Sequence, residues 1–318
     1  MTARSATSDR SVLAVFLATI ALGGSNGVAI RVGLGELAPI WSATLRFGLA
    51  AVILVAIAVI VRPPIPRGRA LLGAILYGLL GFGATYAFAY LGLVNGGASV
   101  AQVVIALAPL LTLLLAVGLG MESFRWQGVA GSLIAAAGIA VVFGDQLSAD
   151  VPLVSLLLFL CGALAIAATG VVAKRIPPGH PIPANAIGMA IGTLVLAPLS
   201  LLLGERWAIP TQTSTWISLL YLASIGSVAL FLAFLFVLAR WTASATSYVL
   251  LLMPLWTVVA AAVVLGETIT SAFLVGGALV LIGTYLAVFL TPRSKAPVGQ
   301  PPEAVPIHLE VETKPRSG

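Results

Sequence analysis

The sequence predicts an all-α integral membrane protein of ten transmembrane helices, arranged as two inverted five-helix repeats. Three observations predict it. Of its 318 residues 60% are hydrophobic and only 8% charged, with a mean hydropathy of +1.13. The apolar residues fall into ten runs, each long enough to cross a bilayer and divided by short Pro, Gly or charged connections. The chain also matches itself when shifted by 145 positions.

A soluble domain carries about 25% charged residues to coat its surface. With 8% charge the chain has too little polar surface for that and faces lipid over most of its length. The net charge of +6 comes from basic residues scattered between apolar runs, not gathered in an aromatic-flanked patch, so nucleic acid is not an expected partner. Cys161 is the single cysteine, which leaves no disulfide framework and no cysteine metal site. No metal and no cofactor is expected.

About 20 apolar residues at 1.5 Å rise each cross a hydrocarbon core of about 30 Å. The first run, Val12 to Ile30, follows Arg4 and Arg10 in the manner of a secretory signal. The rest of the chain is equally apolar, so it reads as an uncleaved first span at 12–31. Further spans are expected at 39–61, 70–94, 97–119, 124–143, 152–174, 183–204, 214–239, 243–265 and 271–290. Turn residues separate them: Arg62-Pro63-Pro64, Asn95-Gly96-Gly97, Gly144-Asp145, Ile176-Pro177-Pro178 and Gly204-Glu205-Arg206. The organisation expected is a cytoplasmic segment at 1–11, one repeat at 12–143, a second at 152–290, and a Pro-rich polar tail at 291–318, cytoplasmic and disordered.

With the amino terminus in the cytoplasm, the inner segments hold Arg4, Arg10, Arg62, Arg67, Arg69, Arg125, Lys174, Arg175, Arg240, Arg293 and Lys295, and the outer ones only Arg31 and Arg206. Lys and Arg are retained on the cytoplasmic side, so both termini are placed there.

The 145-residue shift pairs Ala98-Ser99 with Ala243-Ser244, Pro109-Leu110 with Pro254-Leu255, Thr112 with Thr257, Glu122 with Glu267, Gly131 with Gly276 and Gly138 with Gly283, without a gap. It also pairs Gly81 with Gly226 and Tyr86 with Phe231. Five is odd, so the second half enters the membrane with reversed polarity, as in transporters that alternate between two packings around a midplane site.

Gly24-Ser25-Asn26, Ala29-Ile30, Pro39, Arg46-Phe47 and Ala50 resemble the opening of the EamA-type repeat of the drug/metabolite transporter superfamily. Ala98-Ser99, Pro109, Thr112, Glu122, Gly128, Gly131 and Gly138 resemble its close, and Pro254, Gly266-Glu267, Gly276 and Gly283 repeat it. The resemblance spans about 12 to 290. It implies ten helices, cytoplasmic termini in a bacterial inner membrane, and export or exchange of amino acids, drugs or other metabolites, with aromatic and other bulky neutral amino acids first. Met121 stands where glycine usually precedes Glu122, and helices six and seven match poorly, which leaves the substrate open. The partners expected are a small-molecule substrate and the lipid bilayer, and the expected unit is a monomer.

Arg46 is the one ionisable residue well inside a span. Placing it at the bilayer centre costs about 2.5–3.5 kcal/mol on insertion scales, so it faces protein or a wet cavity. Two roles are open to it: contact with a substrate carboxylate, or structural contact with backbone carbonyls and the interface. Other cavity candidates are Ser25, Asn26, Tyr77, Tyr86, Tyr90, Gln102, Tyr248 and Trp256. Aromatics and amides in membrane helices also serve packing and interhelical bonding, so each has a structural alternative. Pro109 and Pro254 lie mid-helix and are candidate hinges. Glu122 and Glu267 end helices four and nine, where a carboxylate caps the following helix. His180 falls in a loop and His308 in the tail, so no relay of titratable groups crosses the core, and facilitated diffusion or exchange stays open.

Gly23-Gly24-Ser25-Asn26-Gly27 fits the G-x-S-x-G expression of a serine hydrolase, but it sits in an apolar helix without a histidine base, which argues against an enzyme. A channel is the other rival, and does not need two matched halves.

Overall fold

The computed structural model describes residues 3–95, 97–144, 151–265 and 269–288. The Glu267 cap and the 291–318 tail lie outside the described residues.

Among the described residues ten membrane helices follow one another. They are α1 (Ala3–Leu34), α2 (Pro39–Val61), α3 (Arg69–Leu93), α4 (Ala98–Ile105 and Ala108–Gly118), α5 (Trp126–Val142), α6 (Leu153–Arg175), α7 (Pro181–Leu202), α8 (Thr213–Arg240), α9 (Ala243–Ser247 and Val249–Leu265) and α10 (Ser271–Val288). Eight are long and apolar enough to span a bilayer, and α5 and the first part of α9 through Val259 supply two shorter apolar helices, giving the expected ten. Large apolar side chains such as Ile60, Leu202 and Val263 point outward, where lipid covers them. Helix α1 begins well before the apolar run, because helical geometry continues into the polar segment that precedes it.

Prolines and caps set several boundaries. Pro39 opens α2 and Pro181 opens α7, first-turn positions where a missing N–H costs nothing. His180 Nδ1 accepts the Ile182 N–H at 3.3 Å and caps α7. Helix α4 breaks through a turn at Ala106-Leu107 and restarts with Pro109 in its new first turn. Helix α9 breaks at Tyr248 and runs unbroken through Pro254, so the two discontinuities are not at repeat-related positions.

A different pair of irregularities is repeat-related. Leu79–Ala84 in α3 and Ser224–Ala229 in α8 are π-helical, and each residue of the first lies 145 positions before its counterpart in the second. The Thr85 N–H reaches back five residues to the Leu80 carbonyl, and the Leu230 N–H reaches the Ile225 carbonyl likewise.

The halves pack on each other under this pseudo-symmetry. Helix α2 lies on α7 and α5 on α10, while α1 lies on α8 and α9 as α6 lies on α3 and α4. Where α5 meets α10, a Cβ on Gly131 would stand 2.5 Å from the Gly283 carbonyl oxygen, and one on Gly138 would stand 2.6 Å from that of Gly276. Gly131 and Gly276 are repeat partners, as are Gly138 and Gly283, so the seam is self-complementary. Small residues let the two backbones touch.

Candidate functional site

Seven residues into α2, Arg46 is 3% exposed, so its charge lies inside protein. Its Nη2 donates to the Gly226 carbonyl at 2.6 Å and its Nε to Ser227 Oγ at 2.8 Å, both in the π segment of α8. From α1, Asn26 Nδ2 donates to the same carbonyl at 3.1 Å. A Cβ on residue 226 would collide with the Asn26 side chain, which is why glycine stands there. Asn26 Oδ1 is buried without a hydrogen-bond partner. Both acceptors of Arg46 are neutral, so the pair of contacts orients the guanidinium without cancelling its charge.

Beside this cluster, rings from three helices meet edge to face. Phe47 lies 4.7 Å from Tyr86 and 5.1 Å from Phe82, and Phe82 lies 4.6 Å from Phe231. Tyr90 follows one turn after Tyr86, with ring centroids 6.3 Å apart. Tyr86 and Phe231, the repeat-related pair, are half-buried and stand on α3 and α8. Aromatic edges and faces of this kind accept a flat apolar side chain.

The remaining candidates are elsewhere. Tyr77 is buried between α3 and α7 with its hydroxyl 3.2 Å from Asn185 Oδ1. Tyr248 is buried at the α9 break with its hydroxyl 2.7 Å from Ser132 Oγ of α5. Trp256 is 42% exposed, and its Nε1 donates to Ser25 Oγ at 3.3 Å on the α1–α9 seam. Ser25 in turn donates to the Ala21 carbonyl at 2.7 Å, so its hydroxyl is engaged with its own helix and not with a base. Gln102 is exposed on α4. A peripheral groove of about 420 Å³ runs between α1 and the start of α8, lined by Ser25, Ala29, Ser218 and Tyr221 among others, with almost wholly apolar walls. Among the described residues no group of three or more His, Cys, Asp or Glu is placed to hold a metal ion.

Each face of the bundle is tied by charges. On the face where α1 starts and α10 ends, Glu122 accepts hydrogen bonds from the Ser244 N–H and hydroxyl at the start of α9. Its place in the sequence suggests a cap on the helix that follows it, but the tight turn after α4 carries it across to the other half. Nearby, Lys174 Nζ donates to the Leu238 carbonyl at 2.7 Å, and Arg175 Nη1 to the Leu119 carbonyl at 3.2 Å. Cations there meet the negative ends of α8 and α4.

On the opposite face, Glu205 accepts from the Ile40 and Trp41 N–H groups at 3.0 and 2.8 Å and caps α2. The Trp41 and Trp207 rings stack there, 4.3 Å apart. Glu36, in the loop before α2, accepts from the Thr211 hydroxyl and N–H and from the Gln212 N–H. The Thr211 hydroxyl above all, then its N–H, holds the Glu36 carboxyl down at about 2.

Comparison with known proteins follows the same pattern. The sequence model described as the EamA-like transporter family matches residues 10–144 and 153–289. The chain is similar to a probable amino-acid metabolite efflux pump of Salmonella typhimurium, 29% identical over 286 residues covering 86% of this chain and 93% of that one. It is 31% identical to the uncharacterised inner membrane transporter YedA of Escherichia coli, over 75% of this chain and 79% of that one. A probable terminal-alkyne amino-acid exporter of Streptantibioticus cattleyicolor is 29% identical, over 87% and 93%. One solved crystal structure superposes with a TM-score of 0.75 at 20% identity, covering 88% of this chain and 97% of that one, which shows a shared fold.

Proposed function

The chain belongs to the EamA-like transporter family, and from that premise we propose that it exports or exchanges amino acids, aromatic and other bulky neutral ones first, by alternating access between its two halves. The observation that carries this reading is Arg46. A guanidinium buried between the halves, with two neutral acceptors, offers an uncancelled positive charge to a carboxylate, and the Phe47, Phe82, Tyr86 and Phe231 rings beside it suit an apolar side chain. The names of the Salmonella and Streptantibioticus relatives support an amino-acid cargo.

In this reading residues 12–143 and 152–290 are the units that move, with Pro109 and Pro254 absorbing part of the change. The termini and the Lys174 face lie in the cytoplasm, as the concentration of Lys and Arg on that side supports. The host membrane is the bacterial inner membrane, and the working unit is a monomer. Among the described residues no Asp, Glu or His lies within the core of a span, which supports exchange or facilitated movement over a proton relay.

Counterflow of labelled amino acids in proteoliposomes, with and without a pH gradient, tests the reading. Saturable, counter-exchangeable flux is expected. Flux that never saturates indicates a channel, and silence for every amino acid redirects the search to drug-like or other metabolites.

A further inference from the structure

Arg46 and the Leu230 N–H compete for one acceptor. In an α-helix the Leu230 N–H would bond to the carbonyl four residues back, that of Gly226. In the π segment it is shared instead between Ile225, five back, and Ser227, three back, and the Gly226 carbonyl is left for Arg46 and Asn26. The guanidinium thus occupies the carbonyl that α register would return to the Leu230 N–H, an addition to a π turn that α3 forms without it. Take Arg46 away, and the Leu230 N–H is free to recover the Gly226 carbonyl in α register.

The other half lacks this competition. Its π segment in α3 has the same geometry at Leu80 and Thr85, yet Thr169, opposite Gly81 as Asn26 is opposite Gly226, gives its hydroxyl to Ala165 within its own helix. Counting seven residues from the opening proline, Gly188 of α7 stands where Arg46 stands in α2. The charge is on one side only of a nearly symmetric pair.

We propose that Arg46 is a substrate-operated switch. A substrate carboxylate draws the guanidinium off the Gly226 carbonyl and Ser227 hydroxyl, and α8 shifts from π to α register between residues 224 and 230. This rests on the amino-acid reading above for the identity of the ligand. A carboxylate forms paired bonds with guanidinium in which both partners are charged, whereas the Gly226 carbonyl and the Ser227 hydroxyl are neutral, single acceptors. The ligand thus favours the state in which Arg46 is free, which is the differential affinity that any ligand-driven change requires. Asn26 Oδ1, buried and without a partner, supplies an acceptor for the substrate ammonium beside the same switch. Recognition is then of the zwitterion, and an amine without its carboxylate does not operate it.

The test uses the full chain in proteoliposomes with phenylalanine as the probe and phenethylamine as its decarboxylated counterpart. Hydrogen exchange is read at the Leu230 amide, together with counterflow. Phenylalanine is expected to change Leu230 exchange, and phenethylamine to leave it unchanged. Arg46→Gln is expected to show the shifted Leu230 exchange without ligand and to lose saturable counterflow about tenfold or more, the loss that one charge-assisted contact implies. Ser227→Ala, which removes one acceptor only, is expected to shift Leu230 part of the way. Phenylalanine counterflow at wild-type level in Arg46→Gln, or Leu230 exchange that neither ligand nor Ser227→Ala alters, overturns the switch and leaves the transport reading standing. Absence of counterflow for every amino acid in the wild-type chain defeats the transport reading itself. Leu230 exchange shifted by Arg46→Gln would then uphold the register competition without the amino-acid ligand.

Discussion

The Glu122 carboxylate reaches out of the first half and takes both the backbone N–H and the hydroxyl of Ser244, so that the end of α4 holds the start of α9. An anion at a helix start meets unpaired N–H groups and the positive end of the dipole. Lys174 does the converse at the end of α8, and together they fix the α8–α9 corner on one face of the bundle.

Glu122→Ala should therefore lower stability by about 1.5–3 kcal/mol, the range for hydrogen bonds to a charged group. Thermal unfolding in detergent reads this, and Ser244→Ala should lose less because the backbone bond remains. Equal melting of wild type and Glu122→Ala would mean that the corner is held by packing alone.

Glu205 caps α2 with two backbone bonds and takes a third from Ser200 Oγ at 2.7 Å. Glu205→Ala should cost about 2–3 kcal/mol, more than the ~1 kcal/mol of an ordinary helix cap, because charged acceptors bond more strongly. Loosening of the Trp41 and Trp207 stack should accompany it, seen as a change in tryptophan fluorescence.

Glu36 gives a pH dependence. Its carboxyl is lowered from 4.5 to about 2, with the Thr211 hydroxyl as the largest cause. A lowered value in the folded state means its contribution is full above about 4.5 and is lost as pH falls from there towards about 2. Glu36→Gln should flatten the acid limb of the stability profile over that window and leave neutral pH behaviour little changed. A melting profile parallel to wild type down to pH 2 would refute it.

At the α5–α10 seam, Gly138→Ala should push a methyl into the Gly276 carbonyl and destabilise by about 1–3 kcal/mol, as overpacking does. Gly118→Ala is the control, since a Cβ there meets nothing within 4 Å. If both variants melt alike, the seam has slack that the backbone positions deny.

Much of this was legible in the sequence. The ten spans follow from hydropathy and from prolines such as Pro39 and Pro181, which act locally. The inverted halves follow from Pro, Glu and Gly matches at one offset. Arg46 stood out because a lone charge in an apolar run is costly. Its partners did not: a backbone carbonyl has no letter of its own, and Ser227 is one small hydroxyl among many. The π segments were equally hidden, for an extra residue in a helical turn leaves the apolar pattern intact, although the Gly81 and Gly226 pair marked the place. Glu205 read as a loop charge because its ligands, Ile40 and Trp41, lie far away in sequence. Pro109 sits just past a break, whereas Pro254 lies inside a continuous stretch, so proline alone does not locate a discontinuity.

Because Gly131 meets Gly283 just as Gly138 meets Gly276, a rotation that exchanges the two halves leaves α5 and α10 unaltered. That pair therefore joins the halves through one surface used twice, each helix offering the other the same two glycines. Two separately made polypeptides, severed between α5 and α6, would still carry matching surfaces by which to find each other.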